Sequence, residues 1–151
     1  MLTSQAEIHV ERAPEQVFQF VAEDFLHNYP RWSPEVRSLE ALTDGPMQVG
    51  WTARQVRFDR GRRTDSQFRV TTFESGRQIT FKELSDTYLI DYRFEALDGG
   101  TRVAFTFELE GLTGAMRPFE NMVRRVLQET ADRMMNNLKS LIEEELASQP
   151  C

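Results

Sequence analysis

Between Gln5 and Arg12 apolar and polar residues alternate, with Ala6, Ile8 and Val10 facing one way and Glu7, His9 and Glu11 the other. That period of two predicts a half-buried strand. Pro14 and Glu15 then suit the first turn of a helix whose apolar face is Val17, Phe18, Phe20 and Val21. A second short helix is predicted around Asp24 to Asn28, ending before Pro30 because the residue preceding a proline is pushed out of the α region. Beyond Pro34 the turn signals Asp44-Gly45-Pro46, Asp59-Arg60-Gly61, Ser75-Gly76 and Asp98-Gly99-Gly100 delimit six strands near 36–42, 48–58, 64–73, 78–85, 87–96 and 101–109. Such short connections imply antiparallel neighbours.

One face of these strands is dry: Ile79 and Phe81, then Tyr88, Ile90, Tyr92 and Phe94, then Val103, Phe105, Phe107 and Leu109. The other carries Lys82, Asp91, Arg93, Glu95, Arg102, Thr106 and Glu108. After a loop at Gly111, Thr113 and Gly114, nothing breaks a helix from Pro118 to about Ala147. Its apolar stripe runs through Phe119, Met122, Val123, Val126, Thr130, Met134, Leu138, Leu141 and Ile142. At 1.5 Å per residue this helix is roughly 45 Å long. With no helical partner of that length, its stripe is expected to lie on the dry face of the sheet, an α+β layering.

Length and composition narrow the function. A chain of 151 residues fits one domain over 1–151. Its 11 Phe against 3 Tyr and 2 Trp supply large apolar volume with few polar handles. A net charge of −6 disfavours nucleic acid as a partner. Cys151 is the sole cysteine, so no internal disulfide is available. The first residues carry no signal-peptide pattern, and no apolar run approaches the roughly 20 residues needed to span a bilayer, so a cytoplasmic location is expected. His9 and His27 lack metal-ligand spacing. There is no nucleophile elbow, and Gly45 to Gly50 lacks the Lys-Ser/Thr of a phosphate-binding loop. The expectation is no metal, no cofactor and no covalent nucleophile.

Several short stretches resemble the START-like (SRPBCC) superfamily and, within it, the polyketide cyclase/dehydrase-like helix-grip proteins. They are Val10-Glu11-Arg12-Ala13-Pro14-Glu15-Gln16-Val17-Phe18, then Arg31-Trp32-Ser33-Pro34-Glu35-Val36, Val49-Gly50, Gly100-Thr101-Arg102-Val103, and Asn137-Leu138-Lys139-Ser140-Leu141 with Glu143-Glu144-Glu145. The resemblance implies a START/Bet v 1-like helix-grip fold: a curved seven-stranded antiparallel sheet around a long C-terminal helix, with two short helices after strand 1. It also implies an apolar chamber between sheet and helix for a small hydrophobic molecule such as a lipid, a polyketide or an aromatic metabolite. By strand parity the expected lining is Trp51, Gln55, Arg57, Phe68, Phe81, Tyr88, Ile90, Tyr92, Phe105 and Phe107, with Phe119, Met122 and Val126 from the helix; the same aromatics would equally fill a solid core.

Two functional alternatives accompany ligand binding. In a cyclase or aromatase, Glu83 and Tyr92, with Tyr88 beside them, form the candidate catalytic group, since a carboxyl held among aromatic rings suits acid or base work. The competing reading leaves Glu83 at a strand end in solvent. A ribosome- or protein-interaction module would rest on the arginine-rich hairpin of Arg54, Arg57, Arg60, Arg62, Arg63 and Arg69, opposed by Asp59 and Asp65, which otherwise reads as a charged sheet edge. Arg57 shares the parity of Trp51 and Gln55 and is expected at the pocket mouth. A homodimer is compatible with a free sheet edge or helix face.

Overall fold

The alternation at the N-terminus begins earlier than expected: β1 spans Leu2–Val10, in a computed structural model that describes residues 2–111 and 114–146. Thr113, Ala147 and Cys151 lie outside the described residues. Six further strands follow the helices after β1: β2 (Val36–Ala41), β3 (Thr52–Asp59), β4 (Arg62–Glu74), β5 (Gln78–Glu83), β6 (Tyr88–Leu97) and β7 (Gly100–Leu109). They form one antiparallel sheet in the order β1-β7-β6-β5-β4-β3-β2, so β1 and β2 occupy opposite edges. β3 starts later than the expected residue 48, because Gly50 at φ 94° turns the chain and Trp51 enters just ahead of the strand. Arg60 and Gly61, both with positive φ, make the tight β3–β4 turn that a two-residue hairpin requires. Register shifts between Val36 and Ser38 and between Val70 and Thr72 add the local bends that curve a sheet.

The segment joining the two edges departs most from expectation. α1 (Pro14–Phe18) runs into a π-type turn over Gln19–Glu23, and α2 continues over Phe25–Trp32, through Pro30 instead of ending before it. Phe25, Asn28, Tyr29 and Trp32 all lie on its buried side. An interior proline costs a helix about 3 kcal/mol, whereas full burial of one large apolar side chain is worth about 1.5–3 kcal/mol. Three aromatics outweigh one proline. Asn28 secures the junction by donating from Nδ2 to the Phe20 carbonyl at 3.0 Å.

After a 3-10 segment over Gly114–Phe119, which contains Pro118, the long helix α3 spans Glu120–Glu145. It buries Ala131, Met134, Met135, Leu138 and Ile142. Both edges of the sheet hold it. On the β1 side Gln128 Nε2 donates to the Gln5 carbonyl at 2.7 Å, and Lys139 Nζ to the His9 carbonyl at 2.6 Å. On the far side Arg60 at the β3–β4 turn pairs with Glu129 at 3.4 Å, and Arg133 pairs with Glu35. No helix among the described residues is long and apolar enough to cross a membrane.

Candidate functional site

The concave face of the sheet carries the inward residues of β3 to β7, and α2 plugs the concavity from one side. Phe25 is the plug. Its ring stacks on Tyr29 and on Phe81, each at 4.5 Å between centroids, and meets Phe68, Trp32 and Trp51 edge-on at 6.1, 6.2 and 6.4 Å. What remains enclosed is about 10 Å³, bounded by Phe25, Tyr29, Gln55, Phe68, Phe81, Ile90 and Tyr92. That is room for about one water, against the 300 Å³ or more of a typical small-molecule site. The spacious chamber expected between sheet and long helix is therefore corrected: α2, extended through Pro30, delivers three aromatic side chains into that space.

Within this apolar interior, polar groups recur on the inward positions. Tyr29, Tyr92 and Gln55 are the cavity-lining residues that carry polar groups. The Arg57 guanidinium donates from Nη1 to the Tyr29 hydroxyl at 3.0 Å and to Ser33 Oγ at 3.4 Å, and its Nε and Nη2 hold both oxygens of Asp59 at 3.1 and 2.9 Å. Burial works against the Arg57 charge, but the Tyr29 hydroxyl and the Asp59 carboxylate outweigh it and hold its pKa above the ordinary arginine value. Trp32 Nε1 donates to the Tyr92 hydroxyl at 3.4 Å. Burial raises the Tyr92 phenol well above its usual value, with Tyr29 acting in the same direction. Gln55 Nε2 donates to the Tyr88 hydroxyl at 3.0 Å, and Ser66 Oγ shares that hydroxyl at 2.9 Å. Burial pushes Tyr88 up to about 12 against the opposing hydrogen bond with Ser66. The Oε1 of Gln55 is buried with no hydrogen-bond partner among the described residues.

The expected lining divides three ways. Gln55, Phe68, Phe81, Ile90 and Tyr92 surround the cavity. Trp51, Phe105 and Tyr88 stand one layer back: Trp51 against Phe25, Phe105 against Tyr92 at 5.2 Å, and Tyr88 behind Gln55 and stacked on Phe107 at 5.8 Å. Arg57 backs Tyr29. Phe119 and Met122 are corrected: they are 49% and 56% exposed and line nothing internal. At 100° per residue Met122 sits about 140° round the helix axis from the buried line of Met134 and Leu138, and Phe119 belongs to the 3-10 segment that precedes the helix. Val126 is half-buried. A stripe read in steps of three and four winds round α3, so only its C-terminal part faces the sheet.

Glu83 is likewise corrected as an interior acid or base. Its Oε1 accepts from the backbone N–H groups of Ser85 at 2.8 Å and Thr87 at 3.1 Å, capping the β5–β6 turn, while the tyrosine hydroxyls engage other partners. Three of the six arginines of the hairpin pair within it, Arg54 and Arg63 with Asp65 at 2.5 and 3.9 Å and Arg57 with Asp59, while Arg60 meets Glu129 on α3. The residues missed in the sequence are Phe25, Tyr29 and Trp32. Their signal was present as an aromatic spacing of four and then three across Pro30. Among the described residues no cluster of His, Cys, Asp and Glu could hold a metal ion.

This architecture has known counterparts. The profile of the family described as polyketide cyclase / dehydrase and lipid transport matches residues 1–143. No curated protein sequence matches the chain. Among solved structures, TTHA0849 from Thermus thermophilus superposes with a TM-score of 0.80 at 18% identity, over 96% of this chain and 99% of that one. The Zhui aromatase/cyclase from Streptomyces sp. R1128 gives 0.74 at 17%, covering 97% and 96% respectively. A START superfamily protein from Mycobacterium smegmatis gives 0.72 at 16%, covering 95% and 99%. At such identities the likeness is one of fold: a curved seven-stranded antiparallel sheet gripping a long C-terminal helix, with short helices after the first strand.

Proposed function

This chain belongs to the polyketide cyclase / dehydrase and lipid transport family, and from that premise we propose that it binds one small ligand with an apolar body against the inner face of the sheet. The observation that carries this reading is convergence: three residues that carry polar groups, Tyr29, Gln55 and Tyr92, line one internal cavity walled by aromatic rings. A core built only for stability gains nothing from gathering polar groups at one buried point, since each must be desolvated. Ligand sites combine apolar walls with a few placed polar groups in this way.

A ligand larger than a water needs the interior to open, and the fold has an uneven grip that favours opening at one end. The C-terminal part of α3 buries Met134, Met135, Leu138 and Ile142, whereas Phe119 and Met122 near its start remain exposed. Opening of the interior in this reading begins with rotation of the Phe25 ring, which fills the space beside Phe68 and Phe81. Thermal-shift and native mass spectrometry against a panel of small aromatic and aliphatic molecules test the reading. A ligand at 100 times its Kd stabilises the fold by about 2.7 kcal/mol; a panel that yields no bound species and no stabilisation overturns it.

The Arg57–Tyr29 pair favours a second reading, a cyclase- or aromatase-type enzyme. Because the Tyr29 oxygen accepts from a guanidinium, its own proton is available to a substrate carbonyl, and Arg57 stabilises charge that develops on the phenol. A folded poly-β-ketone held there would have its attacked carbonyl hydrogen-bonded by Tyr29: as the enol carbon adds, the C=O π bond opens to an alkoxide that takes the Tyr29 proton, and the proton released from the enol oxygen restores the phenol. The role assigned to Glu83 in the sequence passes to Tyr29 in this reading. Unchanged product ratios when a reactive poly-β-ketone is incubated with the protein, or no loss of effect in Tyr29→Phe, would dismiss it.

A further inference from the structure

Gln55 is 3% exposed, and the two ends of its amide are treated differently. Nε2 is committed to the Tyr88 hydroxyl, which Ser66 holds from its other side. Oε1 is buried, and no group among the described residues donates to it. Leaving a carbonyl oxygen desolvated and unpaired costs about 1–3 kcal/mol, and nearly all buried side-chain acceptors in folded proteins are satisfied. Gln55 also borders the cavity whose remaining walls include the rings of Phe25, Phe68, Phe81 and Tyr92. The site therefore pairs an unused acceptor with aromatic edges and faces.

We infer that Gln55 is the specificity-determining residue of the interior and selects aromatic ligands bearing a hydroxyl or N–H donor, such as phenols, over ring compounds that lack one. This inference rests on the ligand-binding reading above. Tyr88 and Ser66 act as positioning residues: by holding Nε2 they fix the amide at the border of the cavity with Oε1 as its free end. A ligand donor supplies the missing hydrogen bond, and the aromatic walls accept the ring through edge-to-face contacts. The discrimination is asymmetric. A ligand without a donor fills the same space but leaves Oε1 unpaired, and sites built round a buried polar group reject such analogues strongly.

The test compares phenol, anisole and benzene by ligand-observed NMR and calorimetry on the full chain. Phenol is expected to bind at least tenfold more tightly than anisole or benzene, the fold-change for one satisfied hydrogen bond. Gln55→Met should bring the three within about twofold of one another. Tyr88→Phe, which frees the amide to turn, should also reduce the preference for phenol. Equal binding of phenol and anisole to the unaltered protein, preference for anisole (the sign of an amide turned the other way), or selectivity that survives Gln55→Met each overturn the inference and leave the ligand-binding reading standing. Binding by none of the three, nor by any other small molecule, overturns the reading beneath it.

Discussion

The guanidinium of Arg57, on β3, donates to the hydroxyl of Tyr29, on α2, at 3.0 Å. This contact ties the far side of the sheet to the helix that plugs it, and it places a fixed positive charge behind a cavity-lining phenol. Asp59 takes the other side of the guanidinium, so the half-buried Arg57 is fully paired. Hydrogen bonds to charged groups contribute about 1.5–3 kcal/mol. Arg57→Met, which leaves both Tyr29 and Asp59 without their partner, is expected to destabilise the fold by about 2–3 kcal/mol. Tyr29→Phe, which leaves Arg57 on Asp59, should destabilise by about 1 kcal/mol. A double-mutant cycle by urea unfolding should return a coupling of about 0.5–3 kcal/mol; strict additivity would show that the contact carries no energy.

Phe25 decides whether the interior is solid. Phe25→Ala is expected to destabilise by about 3–5 kcal/mol and to leave an apolar cavity beside Phe68 and Phe81. Such a cavity should take up benzene or xenon and recover part of the lost stability. Calorimetric unfolding with and without benzene checks both halves. A variant that loses stability but gains nothing from benzene would mean that the neighbouring rings collapse into the gap.

Tyr88 and Tyr92 both hold their protons more tightly in the folded protein than in the unfolded chain, chiefly because burial penalises the phenolate. For a raised folded pKa the stabilising contribution is complete below the unfolded value and disappears as pH climbs through the folded one. Stability should therefore be flat up to about pH 10 and fall between there and the Tyr88 value of about 12, by up to about 2 kcal/mol from Tyr88. Tyr88→Phe should flatten that part of the decline. Absorbance of the phenolate, followed alongside circular dichroism, should show these two side chains ionising with unfolding and not before it.

Gly100 opens β7 where the sheet crosses beneath the end of β1. A Cβ placed there would lie 2.2 Å from the Val10 carbonyl oxygen and 3.1 Å from Glu11 Cα, both backbone atoms that cannot rotate aside. Gly100→Ala is expected to lower stability by about 1–3 kcal/mol, as an overpacked position does. The midpoint of chemical denaturation measures it, with Gly99→Ala as the comparison: that residue has a positive φ of 79° but open space around it.

The sequence by itself determined the sheet and its partner helix. Alternation along β5, β6 and β7 tells one face from the other because side chains on a strand have no third direction to take. Ile79, Phe81, Tyr92, Phe94, Val103 and Phe105 are accordingly buried. Tertiary structure decided how the space under that sheet is used. Pro30 reads locally as the end of a helix, yet burial of Phe25, Tyr29 and Trp32 carries α2 through it and fills the concavity. Likewise the apolar steps along α3 do not say where the helix leaves the sheet, so Phe119 and Met122 look internal in the sequence and stand in solvent in the fold. Parity placed Gln55 on the inward face. Its unpaired oxygen became visible only once Tyr88 and Ser66, from two other strands, were seen to occupy the opposite end of its amide. Periodicity is a property of one element and survives in the sequence, whereas a cavity is what several elements jointly fail to fill.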